Sequence, residues 1–286
     1  MTGKQRHVAV KVTMKRSSRR LAKERELLLS ELAEAAGLTQ QLPIDPLLIL
    51  RSEGIRDSFN HYGDAFDGLL EWRASGFHVY CNLARVEQRD SARARFTLAH
   101  ELGHYFIDEH RNALMSGRAP AHPSFCDYQS PHLVEVEADC FASALLMPWT
   151  RFKASAKKAT KGLEGIVELA KQYRTSITAT ALRYLQFDAS PCVILKWEAG
   201  GYSWKRLSSS AYIQGYRKTL EDPARLPRDC PTAKVLAGGT SGVMKAGTTA
   251  STWFPFVQAS SDRNAIFMEQ AISLGRFGAL TLLSPG

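Results

Sequence analysis

The chain has 286 residues, of which 44% are hydrophobic and 23% charged, and its net charge at pH 7 is +9. This balance excludes a disordered chain and allows two or three domains with buried cores. The sequence has no run of eighteen apolar residues and no apolar signal-peptide core near its start, so we expect neither a membrane partner nor secretion. We expect reduced thiols and a cytoplasmic location because no C-x-x-C pair occurs among the five cysteines: Cys81, Cys126, Cys140, Cys192 and Cys230.

The first predicted domain, residues 1–40, is a basic leader followed by a helix. Residues 1–20 carry seven Lys or Arg side chains and no acid. Such a run either contacts nucleic acid or stays in solvent as a leader. We favour the solvated leader because the segment contains no pattern for reading bases.

Two helices are predicted before residue 55. From about Arg20 to Gly37 the sequence is amphipathic and rich in Leu, Ala and Glu, which favours a helix. A shorter helix is predicted over Pro43–Gly54, with Asp45 as its N-cap and Pro46 in its first position. Gly54 is the stop signal of this second helix.

A β-hairpin opens the main part of the second predicted domain, residues 41–155. Its strands lie near Leu69–Trp72 and Phe77–Asn82, with residues 74–76 as the turn. A free strand edge beside a catalytic centre binds an extended peptide through backbone hydrogen bonds. The alternative is that the hairpin only covers a core face.

The helix that follows carries the most informative motif of the chain, His-Glu-x-x-His. It begins at Ser91 or Asp90, and its apolar side chains recur at helical spacing. His100 and His104 are four residues apart and therefore share one face, with Glu101 between them, so that the histidines can bind a zinc ion and the glutamate can act as general base. The other interpretation is a chance surface pair of histidines.

Zinc needs a third protein ligand, and His110 is the first candidate. It lies six residues after His104, where metzincins carry their third histidine. Those enzymes need a glycine three residues after the second histidine, and here that position is Ile107. We expect a β-branched residue there to continue the helix and carry His110 away from the metal.

A second buried helix, predicted over Val134–Pro148, supplies the preferred third ligand. Glu135 and Asp139 are four residues apart and share a face, which is costly near a core unless positive charge lies opposite. We expect Glu135 to bind the metal and Asp139 to accept a hydrogen bond from a ligand imidazole. Glu137 points elsewhere on the helix and is the alternative ligand. An acidic surface stripe is the remaining interpretation.

Several segments together resemble the ImmA/IrrE family of zinc peptidases. The resemblance covers residues 40 to 190 well and the remainder loosely. It is carried by five segments: Arg95–His104, Glu135–Ala142, Leu145–Pro148, Pro43–Pro46 and Asp67–Gly68.

The resemblance implies a zincin-like, gluzincin-type helical metallopeptidase domain with a small β-sheet. It implies that His100, His104 and Glu135 bind zinc, with another divalent ion such as Mn²⁺ as the alternative. It also implies a helix-turn-helix repressor as the protein substrate, whose cleavage releases stress-response or mobile-element genes. Some family members end in a region that resembles a GAF-type sensory domain.

The third predicted domain, residues 156–190, is a pair of helices of helix-turn-helix length. They span Leu163–Tyr173 and Ser176–Phe187, with Ser176 as a cap. In the second helix only Arg183, Gln186 and the threonines could reach base edges, so DNA binding is weakly supported.

The fourth predicted domain, residues 191–286, is β-rich. A hairpin is predicted over Cys192–Trp197 and Tyr202–Leu207, and later strands over Ala265–Leu274 and Gly278–Leu283. We expect the aromatic residues of this domain to form a core or an interface: Trp204, Trp253, Phe254 and Phe256.

The sequence therefore predicts an α+β zinc metalloendopeptidase. The metal would polarise the substrate carbonyl and lower the pKa of its water to about 7, and Glu101 would take the proton of that water and pass it to the leaving amine. No spacing identifies the oxyanion donor or the substrate-binding residues. The main alternative is a DNA-binding transcriptional regulator with a structural zinc site, and a further one is a proteolytically silent sensor.

Overall fold

The computed structural model describes most of the chain: residues 23–118, 124, 132–187, 189–198, 201–238, 241–255 and 263–286. The basic run 1–20 lies outside the described residues. The fold is mixed α+β and divides into two compact units, Met1–Arg151 with Tyr173–Thr175, and Phe152–Gln172 with Ser176–Gly286. The finer division into 1–40, 41–155, 156–190 and 191–286 stays a prediction.

The first unit combines six helices with a three-stranded sheet in its described part. The helices are α1 (23–36), α2 (Pro46–Ser52), α3 (Leu83–Val86), α4 (Ala92–Phe106), α5 (Asp108–Met115) and α6 (Leu133–Leu146). The strands are β1 (Arg56–Asn60), β2 (Gly68–Arg73) and β3 (Gly76–Asn82).

The predicted helix starts are confirmed by side-chain caps. Asp45 accepts a hydrogen bond from the Leu47 amide at the start of α2, and Pro46 is the first residue of that helix. Ser91 accepts a hydrogen bond from the Ala94 amide at the start of α4. Each cap satisfies an amide that has no partner within its own helix.

The small sheet has the strand order β1-β3-β2. Strands β2 and β3 form the predicted antiparallel hairpin, whereas β1 pairs with β3 in parallel and was not predicted. The sequence of β1, Arg-Asp-Ser-Phe-Asn, has no apolar alternation, because it is at most half-buried on both faces.

Helices α4 and α6 pack closely at Gly103, which positions the candidate site. A Cβ atom at Gly103 would lie 3.1 Å from the Cα and 3.2 Å from the carbonyl oxygen of Ala138. The close approach explains a glycine in the middle of a helix, where it costs about 1 kcal/mol relative to alanine. The surrounding core is apolar and includes Leu50, Leu70, Val79, Leu98, Leu102, Phe141 and Leu145.

The second unit contains a five-stranded antiparallel sheet of order β5-β4-β8-β7-β6. Its strands are β4 (Val193–Glu198), β5 (Gly201–Leu207), β6 (Val243–Thr249), β7 (Ile266–Ser273) and β8 (Ala279–Pro285). All but β6 were predicted, and no residue of β6 is buried. The described helices of this part of the chain are α7 (Trp149–Lys158), α8 (Leu163–Tyr173), α9 (Ile177–Phe187), α10 (Ser209–Ile213), α11 (Pro231–Leu236) and α12 (Ala250–Trp253), with 3₁₀ turns at Pro223–Arg225 and Gly275–Phe277.

An aromatic core fills one side of this sheet, as predicted for Trp253 and Phe254, which are fully buried. Trp204 is half-buried, and Phe256 lies outside the described residues. The GAF-like character of this region stays a prediction.

Two further observations concern the chain as far as it is described. None of the helices in these ranges is both long and apolar enough to cross a bilayer. Cys81, Cys140, Cys192 and Cys230 form no disulfide among the described residues, and Cys126 lies outside them.

Candidate metal centre

Helix α4 places two imidazoles on one buried face. His100 is 1% exposed and His104 is 4% exposed, and their Nε2 atoms lie 3.1 Å apart. The four-residue spacing along the helix produces this proximity, because residues i and i+4 lie one above the other. Two nitrogen donors therefore converge on one point inside the protein.

Helix α6 adds a carboxylate to the two imidazoles. The oxygens of Glu135 lie 3.3 Å from Nε2 of His100 and 3.5 Å from Nε2 of His104. These three residues form a buried cluster whose donor atoms all lie within 4.8 Å of one another. The cluster could hold a metal ion.

The spacing of the three donors fits zinc. Four ligands in a tetrahedron about 2.0–2.1 Å from a zinc ion lie about 3.3 Å from each other. The observed separations are close to this value: Nε2 of His100 lies 3.1 Å from Nε2 of His104 and 3.3 Å from Oε2 of Glu135, and Nε2 of His104 lies 3.5 Å from Oε1 of Glu135. Two imidazole nitrogens and one carboxylate oxygen also form a donor set typical of catalytic zinc.

Asp139 fixes the orientation of the His100 ring. Its Oδ1 atom accepts a hydrogen bond of 2.9 Å from Nδ1 of His100, which directs Nε2 towards His104 and Glu135. Burial opposes a charge on this ring, but the hydrogen bonds with Asp139 and Glu135 outweigh it and raise the pKa of His100 to about 10. Asp139 thus lies where the sequence placed it, beside a candidate ligand.

Glu101 follows His100 and is 1% exposed. Strand β2 passes directly over it at Gly68: a Cβ atom at Gly68 would lie 2.6 Å from Oε1 of Glu101 and would clash with the methyl group of Thr97. The backbone can approach Glu101 this closely only because Gly68 has no side chain. Glu101 and His104 also line a cavity of about 420 Å³.

The expectation that Ile107 continues the zinc helix is wrong. Helix α4 ends at Phe106, Ile107 is extended and buried, and α5 begins at Asp108. Asp108 and Glu109 occupy the first turn of α5, where carboxylates are favoured by the helix dipole. The turn brings His110 back, so that its ring centroid lies 5.2 Å from that of His104.

His110 nevertheless binds Glu137 rather than the donor cluster. Its Nε2 atom donates a hydrogen bond of 2.9 Å to Oε2 of Glu137, and Arg25 of α1 donates to the same carboxylate at 2.8 Å. Burial lowers the pKa of His110, although the bond to Glu137 opposes this, so a neutral ring is favoured. Glu137, the alternative ligand in the sequence analysis, lies apart from the cluster of His100, His104 and Glu135.

In the second unit, α8 and α9 form the predicted helix pair, and Ser176 caps α9 by accepting a hydrogen bond from the Ala179 amide. The side chains considered for contacts with DNA bases are largely hydrogen-bonded within the protein. Thr180 is fully buried and donates to the Ser176 carbonyl, and Arg183 is 7% exposed and donates to Gln186. Reading base edges would require these contacts to break.

Residues 85–184 match the family model Peptidase_M78, the IrrE N-terminal-like domain. This IrrE-like segment contains His100, Glu101, His104, Glu135 and Asp139. The match supports a relation to the ImmA/IrrE family and a domain of metallopeptidase type.

The fold has a structural neighbour that extends beyond the IrrE-like segment. A Mycobacterium tuberculosis transcriptional regulator is 13% identical with a TM-score of 0.55, over 92% of this chain and 76% of that chain. At this identity the likeness concerns the fold alone. A search of curated proteins finds no match.

Three residues around the site have contacts that were not predicted from the sequence. Gly68 appeared only as part of a resembling segment, Arg25 only as part of a predicted helix, and His110 only as a candidate ligand. The paired acids Asp108 and Glu109 were an available signal, since acids in succession after an apolar run mark a new helix start.

Proposed function

We propose that this protein is a zinc-dependent endopeptidase. The observation that carries the proposal is the buried triangle of His100, His104 and Glu135, with Glu101 next to it on the same helix and facing a cavity. A zinc ion, when bound, supplies Lewis-acid polarisation of a peptide carbonyl and a water whose pKa is lowered to about 7.

The residues of the chain then divide the remaining chemistry. Glu101 accepts the proton of the attacking water and returns it to the leaving amine. Asp139 keeps the proton of His100 on Nδ1 and so keeps Nε2 available as a ligand. Gly68 allows the backbone of β2 to lie against Glu101, which brings a strand edge to the reacting group.

The edge of β2 is suited to bind the substrate as an added strand. In the described part of the chain, β2 pairs only with β3, apart from a single bridge between Gly68 and Ser124. Because backbone groups alternate along a strand, those of Leu70 and Trp72 point to the same side as the Gly68 carbonyl that Ser124 contacts. A peptide extended along this edge gains hydrogen bonds regardless of its sequence.

The proposed substrate is a helix-turn-helix transcriptional repressor, and the proposed location is the cytoplasm. This part rests on the resemblance to ImmA/IrrE peptidases and on the match of the IrrE-like segment. Cleavage of a single repressor would release stress-response or mobile-element genes.

A test uses a small helix-turn-helix repressor encoded beside this gene. The wild-type protein with zinc should cut it, and Glu101→Gln should retain zinc and the fold but lose cleavage, because an amide cannot accept the proton. Equal cleavage by Glu101→Gln would overturn the assignment of the base.

A DNA-binding regulator with a structural zinc site is the second candidate. It is favoured by the α8–α9 pair and by the likeness of the fold to a transcriptional regulator. This function predicts tight, salt-dependent binding to a defined duplex that does not depend on Glu101. Fluorescence anisotropy with Glu101→Gln distinguishes the two functions.

A further inference from the structure

The cavity beside Glu101 and His104 has an apolar wall. Its volume of about 420 Å³ lies in the range of small-ligand sites, about 300–1,000 Å³. The wall is formed by aliphatic side chains from β2, α5 and α6: Leu70, Ala113, Leu114, Leu133 and Val134. An apolar wall of this kind beside a hydrolytic centre favours an apolar group of the substrate.

Four of the charged or titratable side chains that line the same cavity contact one another: Arg25, Glu109, His110 and Glu137. Arg25 lies 2.8 Å from Glu137 and 3.1 Å from Glu109, and His110 donates to Glu137 at 2.9 Å. These pairs satisfy each other, so a substrate side chain of either charge would have to compete with an existing contact. The polar groups therefore close one side of the cavity without selecting a charged residue.

The cavity is placed at the correct distance from Glu101 to receive a side chain next to the scissile bond. Gly68 lies against Glu101, and Leu70, two residues further on the same face of β2, lines the cavity. Two residues along a strand span about 6.6–6.8 Å. A peptide paired with β2 and presenting a carbonyl at Glu101 would therefore place a neighbouring side chain beside Leu70.

We infer that this cavity is a specificity pocket for a large aliphatic or aromatic side chain, within two residues of the bond that is cut. The inference rests on the proposed peptidase function and names the chemical class of its cleavage site. Burial of a leucine or phenylalanine side chain is expected to favour binding over glycine by about 10- to 100-fold. Aspartate at the same position should bind no better than glycine.

The test measures binding, independently of cleavage. Zinc-loaded protein is titrated by calorimetry with a series of dipeptide hydroxamates. The compounds differ at one position, which is Gly, Leu, Phe, Asp or Lys. Ala113→Phe fills the cavity and should reduce the preference for Leu over Gly to less than about 3-fold. Asn112→Phe, on the exposed face of the same helix, is the control and should bind as the wild type.

Several outcomes would overturn the inference. They are equal affinity for the Gly and Leu compounds, tightest binding of the Lys compound, a preference for Leu that survives Ala113→Phe, or no binding of any hydroxamate. If the expected order appears but no protein substrate is ever cut, the pocket stands and the peptidase proposal fails. If the repressor is cut but the expected order of affinities is absent, the peptidase proposal stands and the pocket inference fails.

Discussion

His100 and Asp139 form a hydrogen bond of 2.9 Å that connects α4 to α6. The bond leaves Nε2 of His100 directed at Glu135 and His104. We predict that Asp139→Ala weakens zinc binding by about 10- to 100-fold, because the ligand ring loses its orientation and part of its basicity. Competition with a zinc-binding dye measures the affinity.

The matched control is Asp139→Asn, whose amide oxygen can still accept the hydrogen bond from Nδ1 of His100. It should bind zinc much more tightly than Asp139→Ala. Equal losses of zinc affinity in both variants would mean that the charge of Asp139, and not its ability to accept a hydrogen bond, determines the affinity.

Proton release should accompany metal binding at His100. In the metal-free protein the pKa of His100 is raised to about 10, so the ring is protonated at neutral pH. Zinc needs the lone pair of Nε2 and must expel that proton. Calorimetry at pH 7.5 in buffers of different ionisation enthalpy should show release of about one proton from this ring, and an enthalpy independent of buffer would contradict this.

The same pKa shift predicts how the metal-free fold responds to pH. His100 has a pKa of about 10 in the folded protein and an ordinary value of 6.5. The stability gained from its protonated form is fully present below pH 6.5 and is lost as the pH rises to about 10. Thermal unfolding of metal-free protein should show this decline, and His100→Gln should show a flatter profile.

Gly68→Ala should destabilise the first unit. The added Cβ would lie 2.6 Å from Oε1 of Glu101 and would clash with Thr97, which is fully buried. Overpacking of this kind costs about 1–3 kcal/mol. Displacement of Glu101 should also lower the rate of peptide cleavage.

Gly247 in β6 is the control for this substitution, since a Cβ there has no neighbour within 4 Å. Gly247→Ala should be neutral or stabilising by about 0.4–1 kcal/mol, because alanine restricts the unfolded chain. Urea unfolding compares the two variants. A Gly68→Ala protein as stable as Gly247→Ala would show that β2 does not press on Glu101.

Local signals in the sequence were sufficient for the helices that carry the site. Ser91 and Asp45 are caps whose partners lie within three residues, and the apolar periodicity of α4 and α6 reflects their burial. His100, His104 and Glu135 could be brought together from two such helices because the four-residue spacing fixes which side chains share a face.

Features that depend on distant parts of the chain were missed. Strand β1 is polar and becomes a strand only by pairing with β3. Its Arg56 pairs with His78, which lies 22 residues later in the sequence. The break after Phe106 opposed the helix preference of the segment, because burial of Ile107 and the acids of α5 favour a turn there. The contact between His110 and Glu137 follows from that turn and could not be foreseen without it.

Metal content of paired glutamate variants tests the central claim most directly. Native mass spectrometry should find one zinc ion in the wild-type protein and in Glu137→Ala, whose side chain contacts Arg25 and His110, and none in Glu135→Ala. Stoichiometric zinc in Glu135→Ala, or its loss in Glu137→Ala with the fold intact, would contradict the assignment of the metal centre.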